Sequence, residues 1–172
     1  YQWMVLTRTL DSRLKELFDT KDVKWNDYPS PQKGFRSWGQ EAISGLTLRL
    51  RRWKEFGEKS DWIGPVIRDI GVLLAWTDDV DNPLHAQAGK MGSPMEGRDL
   101  HVGDFSKGTL PPTAPLAVST QTLIGMSYSM KMDQDDRLCV GFIGEGGASL
   151  GEWHEAINFA AAQKLNMIFV LE

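Results

Sequence analysis

Residues 138–172 read LCVGFIGEGGASLGEWHEAINFAAAQKLNMIFVLE, and their residue types and spacing could support chemistry. An apolar run ends in Gly144-Glu145-Gly146-Gly147, and a helical pattern follows. A phosphate suits this place, because glycines expose backbone N–H groups and the following helix presents its positive end. The Glu145 carboxylate would repel that phosphate unless a cation lay between them. Hard divalent ions such as Mg²⁺ combine one or two carboxylates with ligand phosphates. The constellation thus points to Mg²⁺ on Glu145 and a diphosphate on Gly144, Gly146 and Gly147. Two other readings stay open on spacing alone. One is a plain strand–helix turn with an exposed glutamate. The other is a nicotinamide-dinucleotide-binding oxidoreductase, with Glu172 on a ribose, although Ser149 stands where the third fingerprint glycine belongs.

A frame must position these residues. The run 138–143 is apolar throughout, as for a parallel strand covered on both faces, and Met167 to Leu171 has the same character. Between them, Trp153, Ala156, Ile157, Ala160 and Ala161 fall at helical spacing. Ser149 and Glu152 form an S-x-x-E capping box that predicts the helix start. The expected unit is βαβ, right-handed, with a parallel sheet whose C-terminal edge takes the ligand. The fold class is therefore α/β, a parallel sheet flanked by helices.

Upstream, Trp3, Leu6, Leu10, Leu14, Leu17 and Phe18 predict a helix over 3–18, followed by an irregular connection over 19–37. A second helix is expected over about 40–55, with Ile43, Leu46, Leu50 and Trp53 buried. Residues 57–65 read as loop and 66–76 as helix. The stretch 77–113 shows little periodicity, and loops of that length are usually functional or disordered. Helix resumes near Pro115 and runs to about Lys131, with small residues that allow close packing. The expected division is N-terminal helices and loops over 1–65 and one incomplete α/β domain over 66–172.

Composition limits the alternatives. With 41% apolar and 24% charged residues, the chain matches soluble globular proteins. A net charge of −4 and the lack of a long basic block argue against nucleic acid as a partner. The local cluster Arg49 to Trp53 (RLRRW) reads as a solvated helix face. No apolar run reaches the ~20 residues needed to cross a bilayer. The lone Cys139 reads as a buried thiol, so a cytoplasmic setting without a membrane partner is expected. Trp25, Trp38, Trp62 and Trp76 suggest an assembly surface. None of the three histidines takes a catalytic role: His154 reads as packing, His85 lacks an acidic partner at catalytic spacing, and His101 sits in the long stretch.

The GEGGASLG turn resembles the thiamin-diphosphate motif of the alpha subunits, or alpha halves, of 2-oxo acid dehydrogenase decarboxylating components. SWGQEAI (37–43), IRDIGVLL (67–74) and APLAVSTQTLIGMSYSMK (114–131) agree with that family in the expected order. The resemblance implies a thiamin-diphosphate-binding fold, with thiamin diphosphate and Mg²⁺ as cofactors. It implies that Glu145 ligates the metal and that Gly146 and Gly147 donate to the diphosphate. Arg68 matches the arginine on the terminal phosphate, and Leu116 matches the apolar residue that bends the cofactor. The Glu form of the turn favours the branched-chain type.

Departures from the family pattern carry consequences. Ile67 stands where tyrosine is usual, Glu172 where some branched-chain enzymes have arginine, and Val118-Ser119 where a Thr-Gln pair accompanies a monovalent cation. The paired asparagines of the motif would follow Glu172, so the resemblance covers an N-terminal portion and the chain is expected to be truncated. The implied parent enzyme oxidatively decarboxylates a 2-oxo acid and passes the acyl group to a lipoyl-bearing acyltransferase. Its activating glutamate belongs to a beta subunit or beta half, in a heterotetramer or fused homodimer. No catalytic residue is assigned within this chain, and the isolated polypeptide is expected to be inactive. A non-catalytic fragment or assembly half remains the competing expectation.

Overall fold

The computed structural model describes residues 1–30 and 34–172, so part of the expected 19–37 connection lies outside the described residues. In chain order the elements are α1 (Gln2–Asp19), β1 (Lys24–Trp25), β2 (Tyr28–Pro29), α2 (Ser44–Thr47), α3 (Trp53–Phe56) and β3 (Trp62–Gly64). They continue with α4 (Ile70–Thr77), α5 (Asp81–Ala88), α6 (Val118–Met132), β4 (Cys139–Ile143), α7 (Gly151–Gln163) and β5 (Met167–Leu171). Two compact units result: Tyr1–Arg49 with Ile67–Gly103, and Leu50–Val66 with Asp104–Glu172.

In the first unit, Leu10 and Leu14 of α1 pack on Ile70 and Leu74 of α4, flanked by Trp3, Leu6 and Phe18. The predicted stripe of α1 is thus the buried face. Helix α4 is buried from Ile70 to Trp76, which explains why its sequence shows an apolar run rather than a stripe. Gly71 permits this closeness: a Cβ there would lie 2.6 Å from Thr7 Oγ1. Trp76 is therefore core, whereas Trp25 and Trp38 remain exposed. The antiparallel pair β1–β2 escaped the sequence reading, and Pro83-Leu84, a helix start by sequence, lies inside the short helix α5.

The second unit is built on a three-stranded parallel sheet in the order β3-β4-β5. Trp62 pairs with Cys139 and Gly64 with Gly141, while Cys139 through Ile143 pair in register with Met167 through Leu171. Residues 57–65, expected as loop, thus supply a strand. All five residues of β4 are buried, as its unbroken apolar run predicts. Helix α6 lies close against the sheet, but the glycines that allow it are in the strands. A Cβ on Gly64 would sit 2.8 Å from Leu123 Cδ1, and one on Gly141 would sit 3.1 Å from Thr120 Oγ1. Ile124 of α6 packs on Ala156 and Ala160 of α7. Among the described residues, no helix is long and apolar enough to cross a membrane.

Two sequence expectations need correction. The helix over 40–55 is broken into a 3-10 turn at Glu41–Ile43 and the separate α2 and α3. Tertiary bonding overrides its pattern, because the Arg51 N–H donates to Asp61 Oδ2 at 2.8 Å and Arg52 is extended. The capping box also fails. Ser149 closes a 3-10 turn, Gly147–Ser149, and its hydroxyl donates to Gly146 O at 2.9 Å, while Leu150 caps α7 without a side-chain bond.

Candidate functional site

Strand β4 delivers its turn at the C-terminal edge of the sheet, where parallel α/β folds bind ligands. Beyond the ladder, Glu172 N–H donates to Ile143 O at 3.0 Å, and Glu145 N–H donates to Glu172 O at 3.1 Å. The main chain of Glu145 is thereby fixed, while its side chain is exposed rather than turned into the core. The Ala148 N–H donates to Gly144 O at 3.1 Å, closing the turn. The Gly146 and Gly147 N–H groups stand at the start of the 3-10 turn that follows. Two donors and one carboxylate thus share one edge.

The glycines serve here for a reason other than the expected one. None of Gly144, Gly146 and Gly147 has a positive φ. Gly146 is ordinary helical backbone, at φ −67 and ψ −39. What matters is space. A Cβ on Gly146 would meet nothing within 4 Å, so its outer side is open to a ligand. At Gly147 the opposite holds: a Cβ would lie 2.8 Å from Ile143 Cγ1 and 3.2 Å from Leu116 Cδ1. Gly147→Ala is accordingly expected to destabilise the protein by about 1–3 kcal/mol through overpacking. Denaturant unfolding of the complete enzyme measures this. An unchanged midpoint would mean that Leu116 does not bear on the turn.

That geometry brings Leu116 to the turn, although the two are far apart in sequence. Leu116 is 46% exposed, so it offers apolar surface to a ligand rather than filling a core. The next residue, Ala117, has φ 69 and ψ −10 and is buried against Ile143 and Trp153. A left-handed alanine costs roughly 1–2 kcal/mol, and such strain gathers at functional sites. Sequence reasoning missed Ala117, and no residue-type signal could have marked it. The buried Ile143, Ala117 and Trp153 over-determine the conformation that presents Leu116.

Arg68 belongs to the other compact unit and is described within it. It lies in the turn before α4, not on a helix, and is half-buried. Ser37 donates from its hydroxyl to the Arg68 carbonyl. Of the remaining candidates, Arg51 is engaged by Asp61 and Asp136, at 3.1 and 2.9 Å, and Arg52 by Glu55. Two of the three arginines of the RLRRW cluster are thus engaged in ion pairs, while Arg49 is exposed. Cys139 is fully buried, and burial pushes its thiol up to about 12, which keeps it unreactive. His154 is exposed on α7, and His101 pairs with Asp99 at 2.5 Å.

Mg²⁺ with a diphosphate fits this edge. The open space outside Gly146 and the two N–H groups suit phosphate oxygens, and exposed Glu145 stands at the same strand end. Among the described residues, no group of three or more His, Cys, Asp or Glu could hold a metal. An ion here would depend on phosphate and water for its other ligands, as Mg²⁺ commonly does.

A family model described as Dehydrogenase E1 component matches residues 12–172. The chain is 27% identical over 176 residues to 2-oxoisovalerate dehydrogenase subunit alpha of Bacillus subtilis, covering 100% of this chain and 49% of that protein. Against 3-methyl-2-oxobutanoate dehydrogenase subunit alpha of Mycobacterium tuberculosis it is 28% identical over 173 residues, covering 100% and 41%. Against 2-oxoisovalerate dehydrogenase subunit alpha 1, mitochondrial, of Arabidopsis thaliana it is 30% identical over 136 residues, covering 78% and 28%. The chain thus spans half or less of the length of these curated relatives.

Proposed function

We propose a function on one premise: the chain belongs to the dehydrogenase E1 component family. It holds the diphosphate of thiamin diphosphate, with Mg²⁺, for the oxidative decarboxylation of a 2-oxo acid. The acyl group then passes to a lipoyl-bearing acyltransferase in a multienzyme complex. When bound, the cofactor supplies the electron sink that protein side chains lack.

One observation carries this reading. Exposed Glu145 sits beside Gly146, which faces open space, and Gly147, which is seated against Leu116. In the proposed roles, the Glu145 carboxylate holds the cation and the Gly146 and Gly147 N–H groups hold phosphate oxygens. Leu116 presses apolar surface on the cofactor and excludes water from it. The Arg68 guanidinium adds paired, charge-assisted hydrogen bonds to the terminal phosphate. A beta subunit or beta half completes the catalytic site, so the isolated polypeptide is inactive.

The names of the relatives favour a branched 2-oxo acid as substrate. The complete enzyme, full-length chain with its partner, should be assayed with pyruvate, 2-oxoglutarate and branched 2-oxo acids and an artificial electron acceptor. Turnover should be fastest with the branched acids and should require both thiamin diphosphate and Mg²⁺. No turnover of any 2-oxo acid, with both present, would contradict the proposal.

A further inference from the structure

The main chain of Arg68, like that of Gly146, is held by a side-chain donor, here one 31 positions away in sequence. Its carbonyl accepts from Ser37 Oγ. The Ser37 N–H in turn donates to Asp11 Oδ2 at 2.6 Å. Both residues are buried, Asp11 completely. The segment carrying Ser37 is fastened to α1 a second time. Glu41 accepts the Gly39 N–H at 3.2 Å and pairs with Arg8 Nε at 2.5 Å, one helical turn before Asp11. Ser37 is therefore held rigidly from the α1 side while its hydroxyl reaches the turn that begins α4.

Burying a carboxylate on a helix face beside Leu10 and Leu14 is a poor way to gain stability. Desolvation favours its neutral form, and burial indeed raises the Asp11 carboxyl above the ordinary aspartate range. A polar relay that ends on one particular carbonyl makes sense if that carbonyl must not move.

We propose that Asp11 and Ser37 are positioning residues: they fix the main chain of Arg68 so that its guanidinium is presented in one orientation to a phosphate. The inference rests on the reading of Arg68 as a ligand of the terminal phosphate. Neither Asp11 nor Ser37 touches the cofactor. Their effect is confined to how well the second phosphate is recognised.

The test uses the complete enzyme and compares Mg²⁺-dependent binding of thiamin diphosphate with that of thiamin monophosphate by calorimetric titration. Outer-shell partners of a ligand site typically contribute about 10–100-fold. Ser37→Ala should thus reduce the preference for diphosphate about tenfold, raising the apparent KM for the cofactor while kcat at saturating cofactor stays near that of the parent. Arg68→Ala should reduce the preference at least as far. The double variant should be no worse than Arg68→Ala alone, because both substitutions break one unit. If Arg68→Ala lowers the preference and Ser37→Ala leaves it unchanged, the relay is not a positioning device. Additive losses in the double variant overturn it as well. An unchanged preference in Arg68→Ala removes the ligand reading itself, and the relay with it. Should Ser37→Ala not fold, Ser37→Cys keeps the shape with a weaker donor, and its preference decides the matter in the same way.

Discussion

Asp61→Ala is expected to cost about 3–5 kcal/mol, the loss typical when a buried ionic network loses one partner. Asp61 is 1% exposed. Its Oδ1 accepts from the Leu138 N–H at 2.8 Å and from Arg51 Nε at 3.1 Å, and its Oδ2 accepts from the Arg51 N–H at 2.8 Å. Next to it, the Asp61 N–H donates to Arg51 O at 2.9 Å and the Trp62 N–H to Leu138 O at 2.8 Å. One carboxylate thus joins the entry of β3 to the entry of β4. Without it, two main-chain donors lose their acceptor, and Arg51 keeps Asp136 as its remaining partner. At about 2–4 °C per kcal/mol, the melting temperature should fall by on the order of 10 °C. Thermal melts of the complete enzyme measure it, and a loss below about 1 kcal/mol would show that the network carries little. The Cys139 thiol should stay unreactive in the variant, because burial rather than the Asp61 charge is the larger cause of its raised pKa.

The second large effect concerns binding. Glu145→Gln keeps the size and exposure of the side chain but removes the charge that a hard cation needs. Loss of an outer-shell partner at a metal site costs roughly 10–100-fold, so loss of a direct ligand should cost at least about 100-fold in affinity for thiamin diphosphate with Mg²⁺. The main-chain bond between Glu145 and Glu172 is retained in the variant, and a thermal melt run in parallel separates any loss of folding from a loss of binding. Glu145→Asp, which keeps the charge on a shorter arm, should recover part of the affinity. Equilibrium titration of the complete enzyme distinguishes the three.

The part of the fold that carries the turn was legible because its signals are local. Two five-residue apolar runs flank a helix whose spacing buries Trp153, Ala156 and Ala160, and the parallel βαβ unit follows from them. Strand β3 was not legible. It is three residues long, and its place depends on a partner strand and on the Asp61 carboxylate reaching Leu138 across 77 positions. The same carboxylate breaks the helical pattern over 40–55, which is a tertiary decision that no window of sequence contains. At the turn, the residue types were informative but for another reason. Gly147 is required by Ile143 and by a leucine 31 positions earlier, not by its dihedral angles. The left-handed Ala117 gave no warning, since alanine has no preference for that region. Ser149 and Glu152 match a capping pattern, yet the extra 3-10 turn takes Ser149 for itself.

Glu145 at the sheet edge should accept a diphosphate only through a divalent cation. The decisive measurement is a titration of thiamin diphosphate into the complete enzyme at rising Mg²⁺, with Glu145→Gln in parallel. Affinity should climb with Mg²⁺ in the parent protein, and the variant should give a weak, nearly Mg²⁺-independent response. Equal affinity and the same Mg²⁺ dependence in both proteins would contradict it.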